Sequence, residues 1–320
     1  MHTLGYNAAE IKGKIVATYR AKKHFGQNFL QDSHYLHKII QSTPTLPIQC
    51  IEIGIGLGDL TQELLKIEPL IAYEVDLDLC SLLDKKFSSH IQSGRLKIIY
   101  ENVLNLHQEQ QWLYEQEYKV VSNLPYYIAT HIIVRLLRDR FCRALLVMTQ
   151  KEVAQKFCAL SGESAFCALS VLTQTLGETQ MLFDVPNSAF SPIPKVTSSV
   201  FVIHKHHLQT FEAFSLYDLE SFLKSAFHAP RKTLLKNLST AFDKKLLEKA
   251  LESACVPFNA RPHEVKTKSF HHILEILKKG HNNGRQEHTT GKQNKITKQE
   301  NLNHLQKDSK KRPLKNKPMI

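Results

Sequence analysis

Apolar runs and amphipathic stretches alternate along the first half of the 320-residue chain. "QCIEIGI", "LIAYEVD", "RLKIIYEN", "YKVVSN" and "RALLVMT" are typical of buried strands, because apolar residues occupy successive positions. Between them, "LTQELLK", "LDLCSLLDKKF" and "ATHIIVRLLRD" place apolar residues at helical spacing. This alternation predicts an α/β fold, with a doubly wound and mostly parallel sheet that carries helices on both faces.

The pattern changes after Pro194, where "TSSVFVIHKH" predicts one more strand and the remainder predicts mainly helices. The sequence therefore predicts a larger α/β domain followed by a smaller all-α C-terminal domain. We expect an N-terminal extension over 1–21, the α/β domain over 22–206, the helical domain over 207–279 and a tail over 280–320.

Charge and composition narrow the class of protein. The net charge is +12, and residues 281–320 carry ten Lys and Arg against three Asp and Glu. Because this tail has few apolar residues, we expect it to be disordered, and its basic charge is typical of a segment that binds phosphates or of one that keeps the protein in solution. The six cysteines are scattered without a C-x-x-C motif, and no apolar run is long enough to cross a membrane. These features predict a cytoplasmic protein with reduced thiols and no metal site.

The loop after the first predicted strand, "EIGIGLGD", has the glycine spacing of a ligand-binding turn. Gly54, Gly56 and Gly58 allow a tight turn and close approach of a ligand, and Glu74 ends the next strand, where an acid can bind ribose hydroxyls. We expect Asp59 to cap the following helix, and a carboxylate there disfavours a pyrophosphate. S-adenosylmethionine therefore fits better than a dinucleotide, although a dehydrogenase stays an alternative.

Two asparagines follow later strands of the predicted sheet. Asn102 lies where the adenine of a nucleoside would reach, although a plain turn residue explains it equally well. Asn123 ends the fourth strand in "VVSNLPYYIAT", beside the point where doubly wound sheets bind ligands. Since Pro125 has no N–H, nearby carbonyls and the carboxamide can hold the amine of a base. Tyr126 could then stack on that base, the alternative being a polar turn with two surface tyrosines.

Seven segments together resemble those of the bacterial small-subunit ribosomal RNA adenine dimethyltransferases, the KsgA/RsmA family. The resemblance covers about residues 22–278 and rests on "HFGQNFLQD", "EIGIGLGDLT", "YEVD", "SNLPYYIAT", "TQKEVAQKF", "FSPIPKVTSSV" and "AFHAPRKTLLKNL". It implies a class I methyltransferase domain and a helical domain that docks on the 30S particle. It also implies transfer of four methyl groups to two adjacent adenosines near the 3′ end of 16S rRNA, by a monomer.

The resemblance also implies roles for individual residues. The positions that match the family's S-adenosylmethionine contacts are Asn28, Leu30, Gly54, Glu74, Asn102 and Asn123. The positions that match its catalytic motifs are Asn123, Leu124, Pro125, Tyr126 and Phe190.

Phe190 and a set of basic residues have both a functional and an ordinary structural interpretation. Phe190, in a proline-stiffened loop, could face Tyr126 across the target base, or it could belong to the core. The basic residues are expected to contact RNA phosphates, with a solvated surface as the alternative; they are Lys22, Lys23, Arg231, Lys232 and Lys236. We also expect the three in "APRKTLLKNL" to form the start of a helix.

Three residues depart from the family pattern. Asn102 stands where aspartate is usual, Tyr127 where asparagine is usual, and Pro230 where arginine is common. None of these changes removes the expected chemistry. Two alternatives remain open: a methyltransferase of the resistance type that acts on 23S rRNA, and a ribosome assembly factor whose methylation is vestigial.

Overall fold

The computed structural model describes Tyr19 and residues 21–22, 26–106, 112–206 and 214–280. Lys23, most of the predicted N-terminal extension and the predicted tail beyond residue 280 lie outside these described residues. The chain divides into two compact units, 1–210 and 211–320. The predicted domain boundary after residue 206 falls next to the segment 207–213, which is also outside the described residues, so it stays a prediction.

The first unit is built around a seven-stranded sheet, and the predicted α/β fold is confirmed. A short antiparallel pair, β1 and β8, lies outside the main sheet. The strands are β1 Phe29–Leu30, β2 Gln49–Ile53, β3 Leu70–Tyr73, β4 Leu96–Ile99, β5 Tyr118–Asn123, β6 Cys142–Gln150, β7 Gly177–Val185, β8 Phe190–Ser191 and β9 Ser198–Lys205. The main sheet has the order β4-β3-β2-β5-β6-β9-β7. Its first five strands are parallel, and β9 runs antiparallel to both β6 and β7.

Helices cover both faces of this sheet, as the alternation of the sequence predicts. One apolar cluster takes side chains from α1, α2 and α3, and the other takes them from α5 and α6. The helices of the first unit are α1 Ser33–Gln41, α2 Asp59–Ile67, α3 Leu77–Lys86, α4 Ser88–Gln92, α5 Ala129–Arg138, α6 Lys151–Cys158 and α7 Ala168–Leu176. Fully buried side chains such as Leu64 of α2 and Ile132 of α5 fix each helix to its face.

The sequence pattern does not predict β7. This strand lies at the edge of the sheet, so only its end residues, Gly177 and Val185, are fully buried. Its pairing with β9 shifts register between Met181 and Phe183, which breaks the alternation of apolar and polar positions. A partly exposed strand with a bulge shows no clear alternation of apolar and polar residues. The sequence pattern therefore does not predict it.

The described part of the second unit is helical. Its helices are α8 Leu216–Ala226, α9 Leu234–Leu238, α10 Lys244–Ser253 and α11 over 267–280. Phe222 packs edge-on against Phe270, and both are buried. Within the described residues, no helix of either unit combines the length and apolar character that a membrane crossing needs.

The basic residues of the second unit lie differently from the expectation. Thr233 caps α9 with its side chain, so the helix begins at Leu234. Arg231 and Lys232 therefore lie in the preceding turn, and only Lys236 is on the helix. All three basic side chains are exposed. The prediction of a basic helix start is wrong because Thr233 is the N-cap: its hydroxyl accepts the N–H of Lys236, in the first turn, at 3.2 Å.

Candidate functional site

A cleft opens where the carboxyl ends of β2, β3 and β5 meet, as expected of a doubly wound sheet. Its open space, including the mouth, is about 990 Å³. Most predicted site residues of the first unit line this cleft: Asn28, Leu30, Gly54, Glu74, Asn102, Asn123, Pro125 and Tyr126. The fold thus brings together residues that are up to about a hundred positions apart in the sequence.

The glycine loop between β2 and α2 turns as the spacing predicts, but its helix cap differs. Gly54, Gly56 and Gly58 all have positive φ, at 81°, 58° and 77°. A Cβ on Gly56 would lie 2.9 Å from the ring of Phe29, so no larger residue fits between the loop and β1. Gly58 is the N-cap and gives no side-chain hydrogen bond. Asp59 is the first helical residue and not the N-cap, but its carboxylate lies in the first turn of α2, where it interacts favourably with the helix dipole as predicted.

Glu74 is held by the backbone around it. Gly56 donates its N–H to Oε2 of Glu74, and Val75 and Asp76 donate theirs to Oε1, each at 2.9 Å. Burial raises the pKa of the Glu74 carboxyl, while these three donors favour its charged form. A carboxylate has about four acceptor positions, so roughly one remains for a ligand hydroxyl. Binding both hydroxyls of a ribose would require Gly56 to release its hydrogen bond.

The cleft is lined by acids. Glu52, Asp59, Glu74 and Glu101 all line it, and the described lining residues include no Lys or Arg. Glu52 is buried and accepts a hydrogen bond from Thr61 at 2.7 Å. Burial raises the pKa of Glu52 to about 8, so this acid is mainly neutral at pH 7. Even with Glu52 neutral, the other three acids and the lack of Lys or Arg among the described lining residues favour a cationic ligand over a pyrophosphate.

Asn102 has the structural role of a turn residue, and it also lines the cleft. Its Oδ1 accepts the backbone N–H of Leu104 at 3.0 Å and caps a short 3₁₀ turn over Val103–Asn105. The same side chain lines the cleft, and its amide N–H₂ can donate to a ring nitrogen of adenine. The structural role is observed, and the contact with adenine stays a prediction.

Asp76 fastens the segment before β1, a role that the sequence analysis missed. Its side chain is fully buried and accepts hydrogen bonds from Tyr19, from Gln27 at 2.9 Å and from Lys22 at 2.5 Å. Although burial opposes its ionisation, these donors hold the pKa of Asp76 below its usual value. Lys22 also pairs with Asp78, so its ammonium group faces two carboxylates of its own chain. The sequence analysis missed these contacts because Asp76 and its donors are about fifty residues apart, and no sequence motif relates positions at that distance.

The turn after β5 contributes Asn123, Pro125 and Tyr126 to the lining of the cleft, whereas the predicted site residue Leu124 is buried and does not line it. Nδ2 of Asn123 donates to the backbone carbonyl of Asn28 at 3.2 Å, which leaves Oδ1 as the group that can accept. The N–H of Leu124 donates to Met148, while the carbonyl of Pro125 accepts from Ile128. Within the described residues the carbonyl of Leu124 has no such donor. Asn123 and Leu124 therefore each have an acceptor oxygen without such a donor, and of the two residues Asn123 lines the cleft.

The two tyrosines of this turn differ in their surroundings. Tyr126 is half-buried, and its hydroxyl lies 2.6 Å from Oγ of Ser198, the first residue of β9. Burial raises the pKa of the Tyr126 hydroxyl, so it stays protonated at neutral pH. Tyr127 is 54% exposed and lies against Gly26, where an added Cβ would come within 3.2 Å of its ring. Tyr127 thus covers the segment that leads into β1.

Phe190 does not line the cleft. It is 3% exposed, belongs to β8 and pairs with Leu30 of β1. Its buried position agrees with the core alternative, so a role in stacking on a base stays a prediction that requires its ring to become accessible.

The described residues also contain no group of three His, Cys, Asp or Glu side chains placed to bind a metal ion.

Comparison with known sequences identifies similar proteins. A family model described as Ribosomal RNA adenine dimethylase matches residues 18–279. The Ribosomal RNA small subunit methyltransferase A of Helicobacter hepaticus is 74% identical over 269 residues, which cover 84% of this chain and 95% of that protein. The protein of the same name from Sulfurimonas denitrificans is 44% identical over 258 residues, 81% of this chain and 94% of the other.

Solved structures share the fold. The crystal structure of the 23S rRNA methyltransferase ErmE covers 78% of this chain and 99% of its own, with 25% identity and a TM-score of 0.63. A dimethyladenosine transferase from Plasmodium falciparum covers 79% of this chain and 98% of its own, with 23% identity and a TM-score of 0.63. The predicted class I methyltransferase fold is confirmed by these comparisons.

Proposed function

Because the chain belongs to the ribosomal RNA adenine dimethylase family, we propose that it dimethylates two adjacent adenosines near the 3′ end of 16S rRNA. S-adenosylmethionine is the methyl donor, and each exocyclic amine receives two methyl groups. The names of the relatives at 74% and 44% identity support the small subunit. The similarity to a 23S enzyme at 25% identity supports the shared fold and does not favour the large subunit.

The cleft suits this methyl donor. S-adenosylmethionine supplies a methyl group on a positively charged sulfur, and the acid-lined cleft is compatible with that charge. We assign the remaining acceptor position of Glu74 to a ribose hydroxyl and the free amide of Asn102 to the adenine ring. The other contacts fall to residues around the glycine loop and β1: Asn28, Leu30 and Gly54.

The observation that carries the proposal is the orientation of the Asn123 amide. Since Nδ2 is bound to Asn28, Oδ1 is free to accept one N–H of the target amine, and the carbonyl of Leu124 can accept the other. Two fixed acceptors orient the nitrogen lone pair toward the methyl group and stabilise the positive charge that develops on nitrogen. Tyr126 stacks on the base, and Pro125 fixes the turn.

The second unit supplies contacts to the ribosomal particle in this proposal. Arg231, Lys232 and Lys236 are exposed and can each bind a phosphate oxygen. Lys22 is a poorer candidate for such a contact, because its ammonium group already pairs with Asp76 and Asp78.

Labelled methyl transfer tests the function directly. Undermethylated 30S particles, 50S particles and protein-free rRNA should be offered in parallel with labelled S-adenosylmethionine. We expect about four labelled methyl groups per 30S particle and background labelling of 50S particles, a count that follows from the family activity of two methyls on each of two amines. Preferential labelling of 50S particles would assign the enzyme to the large subunit, and no labelling of any substrate would support an assembly factor.

A further inference from the structure

We infer that Ser198 is a positioning residue, which holds the ring of Tyr126 in the orientation that receives the target base. The hydroxyl groups of the two residues lie 2.6 Å apart, although the residues are 72 positions apart in the sequence. Tyr126 lines the cleft with its ring, while its hydroxyl is directed to the start of β9. This inference rests on the proposed stacking role of Tyr126.

The position of Ser198 is fixed from both sides. It pairs with Gln150 at the end of β6 and with Val185 at the end of β7, so two strands restrain its backbone. Its side chain is fully buried. A hydroxyl group fixed in this way is a rigid point of attachment, unlike an exposed serine that changes rotamer freely.

The bond between Tyr126 and Ser198 passes over the end of β6, because β6 lies between β5 and β9 in the sheet. The backbone of the turn is fixed separately by the N–H of Leu124, which donates to Met148 of β6. Two restraints therefore act on Tyr126: one fixes the turn from which its side chain extends, and the other fixes the far end of the ring. With both ends held, the face of the ring is presented to the cleft in one orientation.

Ser199 provides a matched control. It is equally buried and its hydroxyl is also hydrogen-bonded, but it donates to Asp184 at 2.6 Å and not to a residue of the cleft. Asp184 in turn pairs with Lys151 at 2.6 Å. Removing either hydroxyl deletes one hydrogen bond from the same strand, and because the acceptor of Ser199 is a charged carboxylate, Ser199→Ala should lose at least as much stability as Ser198→Ala. Only the loss of Ser198 frees the tyrosine ring.

The test compares turnover for Ser198→Ala, Tyr126→Phe, the double variant and Ser199→Ala, with undermethylated 30S particles as substrate. We expect Ser198→Ala and Tyr126→Phe each to lower kcat by about tenfold with KM values within about twofold, because a misplaced stacking group slows the reaction more than binding. The double variant should be no slower than either single variant, since both remove the same bond. Ser199→Ala should keep wild-type kcat.

The outcomes separate this inference from the proposed function. If Tyr126→Ala keeps wild-type turnover, the stacking role itself is wrong. If Tyr126→Ala is slow but Ser198→Ala is not, or if the effects of Ser198→Ala and Tyr126→Phe multiply, the positioning role of Ser198 is wrong. Should Ser198→Ala fail to fold, Tyr126→Phe breaks the same bond from the other side, and unchanged kcat in that variant would overturn the inference.

Discussion

The two sides of the cleft are built differently. On the cofactor side, formed by the ends of β2, β3 and β4, the backbone holds Glu74 with three N–H groups and Asn102 with one. On the transfer side, formed by the turn after β5 and the start of β9, Asn123 and Tyr126 each make one hydrogen bond to a distant segment. In the proposed function, the first arrangement is a preformed binding site for the cofactor, and in the second Oδ1 of Asn123 stays available for the reacting amine.

This contrast explains which parts of the site could be predicted from the sequence. The cofactor side depends on local chain geometry. This geometry can be predicted from the spacing of Gly54 and Glu74 along the sequence. The bonds of the transfer side join Asn123 to Asn28 and Tyr126 to Ser198, across 95 and 72 positions. A local sequence pattern cannot predict which residues pair over such distances, so these hydrogen-bond partners are identified only from the structure.

The same limit applies to the fold. The predicted strands from β2 to β6 and the strand β9 are confirmed: burial gives most of them long apolar runs, and the edge strand β4, with only Leu96 fully buried, still has the apolar run "LKII". The edge strand β7 escaped prediction because it is half exposed and bulged. The role of Asp76 also escaped prediction, since its donors Tyr19, Lys22 and Gln27 come from a segment with no regular pattern.

The largest effect is expected on the transfer side. Asn123→Ala should slow methyl transfer by about 10²–10³, the cost of losing one preorganised polar contact to the reacting amine. Binding of ribosomal particles should barely change, because phosphate contacts dominate that affinity. Steady-state kinetics and a particle-binding assay check this pair of outcomes. Turnover near the wild-type value would show that Asn123 is only a turn residue and does not bind the target amine.

On the cofactor side, Glu74→Ala should weaken binding of S-adenosylmethionine by about 1–3 kcal/mol, the scale of a charge-assisted hydrogen bond. Calorimetry measures the affinity, and a melting curve identifies any loss of stability from the three orphaned N–H groups. Unchanged affinity for S-adenosylmethionine would show that Glu74 does not bind the ribose.

A smaller effect is expected for the segment that leads into β1. Asp76→Asn should weaken cofactor binding by about tenfold, because an amide holds Lys22 and Gln27 less strongly than a carboxylate does. Asparagine is also a good N-cap, so α3 should keep its first turn. Asp78→Asn is the control, since its side chain is 70% exposed and contacts only Lys22 of this group. Equal losses in the two variants would contradict a specific role for Asp76.

The smallest effect is expected at Thr149, near the end of β6. Its Oγ1 is buried and has no hydrogen-bond partner among the described residues. Thr149→Val keeps the shape of the side chain, so the free energy of unfolding should stay the same or rise by up to about 1 kcal/mol. Denaturant unfolding measures this change. A loss of stability would show that the hydroxyl has a partner in solution, such as a buried water molecule.

The separation of the two sides is the central claim, and single-turnover rates at saturating S-adenosylmethionine test it most directly. Once the cofactor is bound, Glu74→Ala should react within about threefold of the wild-type rate, because its defect lies in affinity. Asn123→Ala should remain about 10²–10³ slower under the same conditions, because its defect lies in the transfer step. Equal slowing of both variants at saturation would contradict the account.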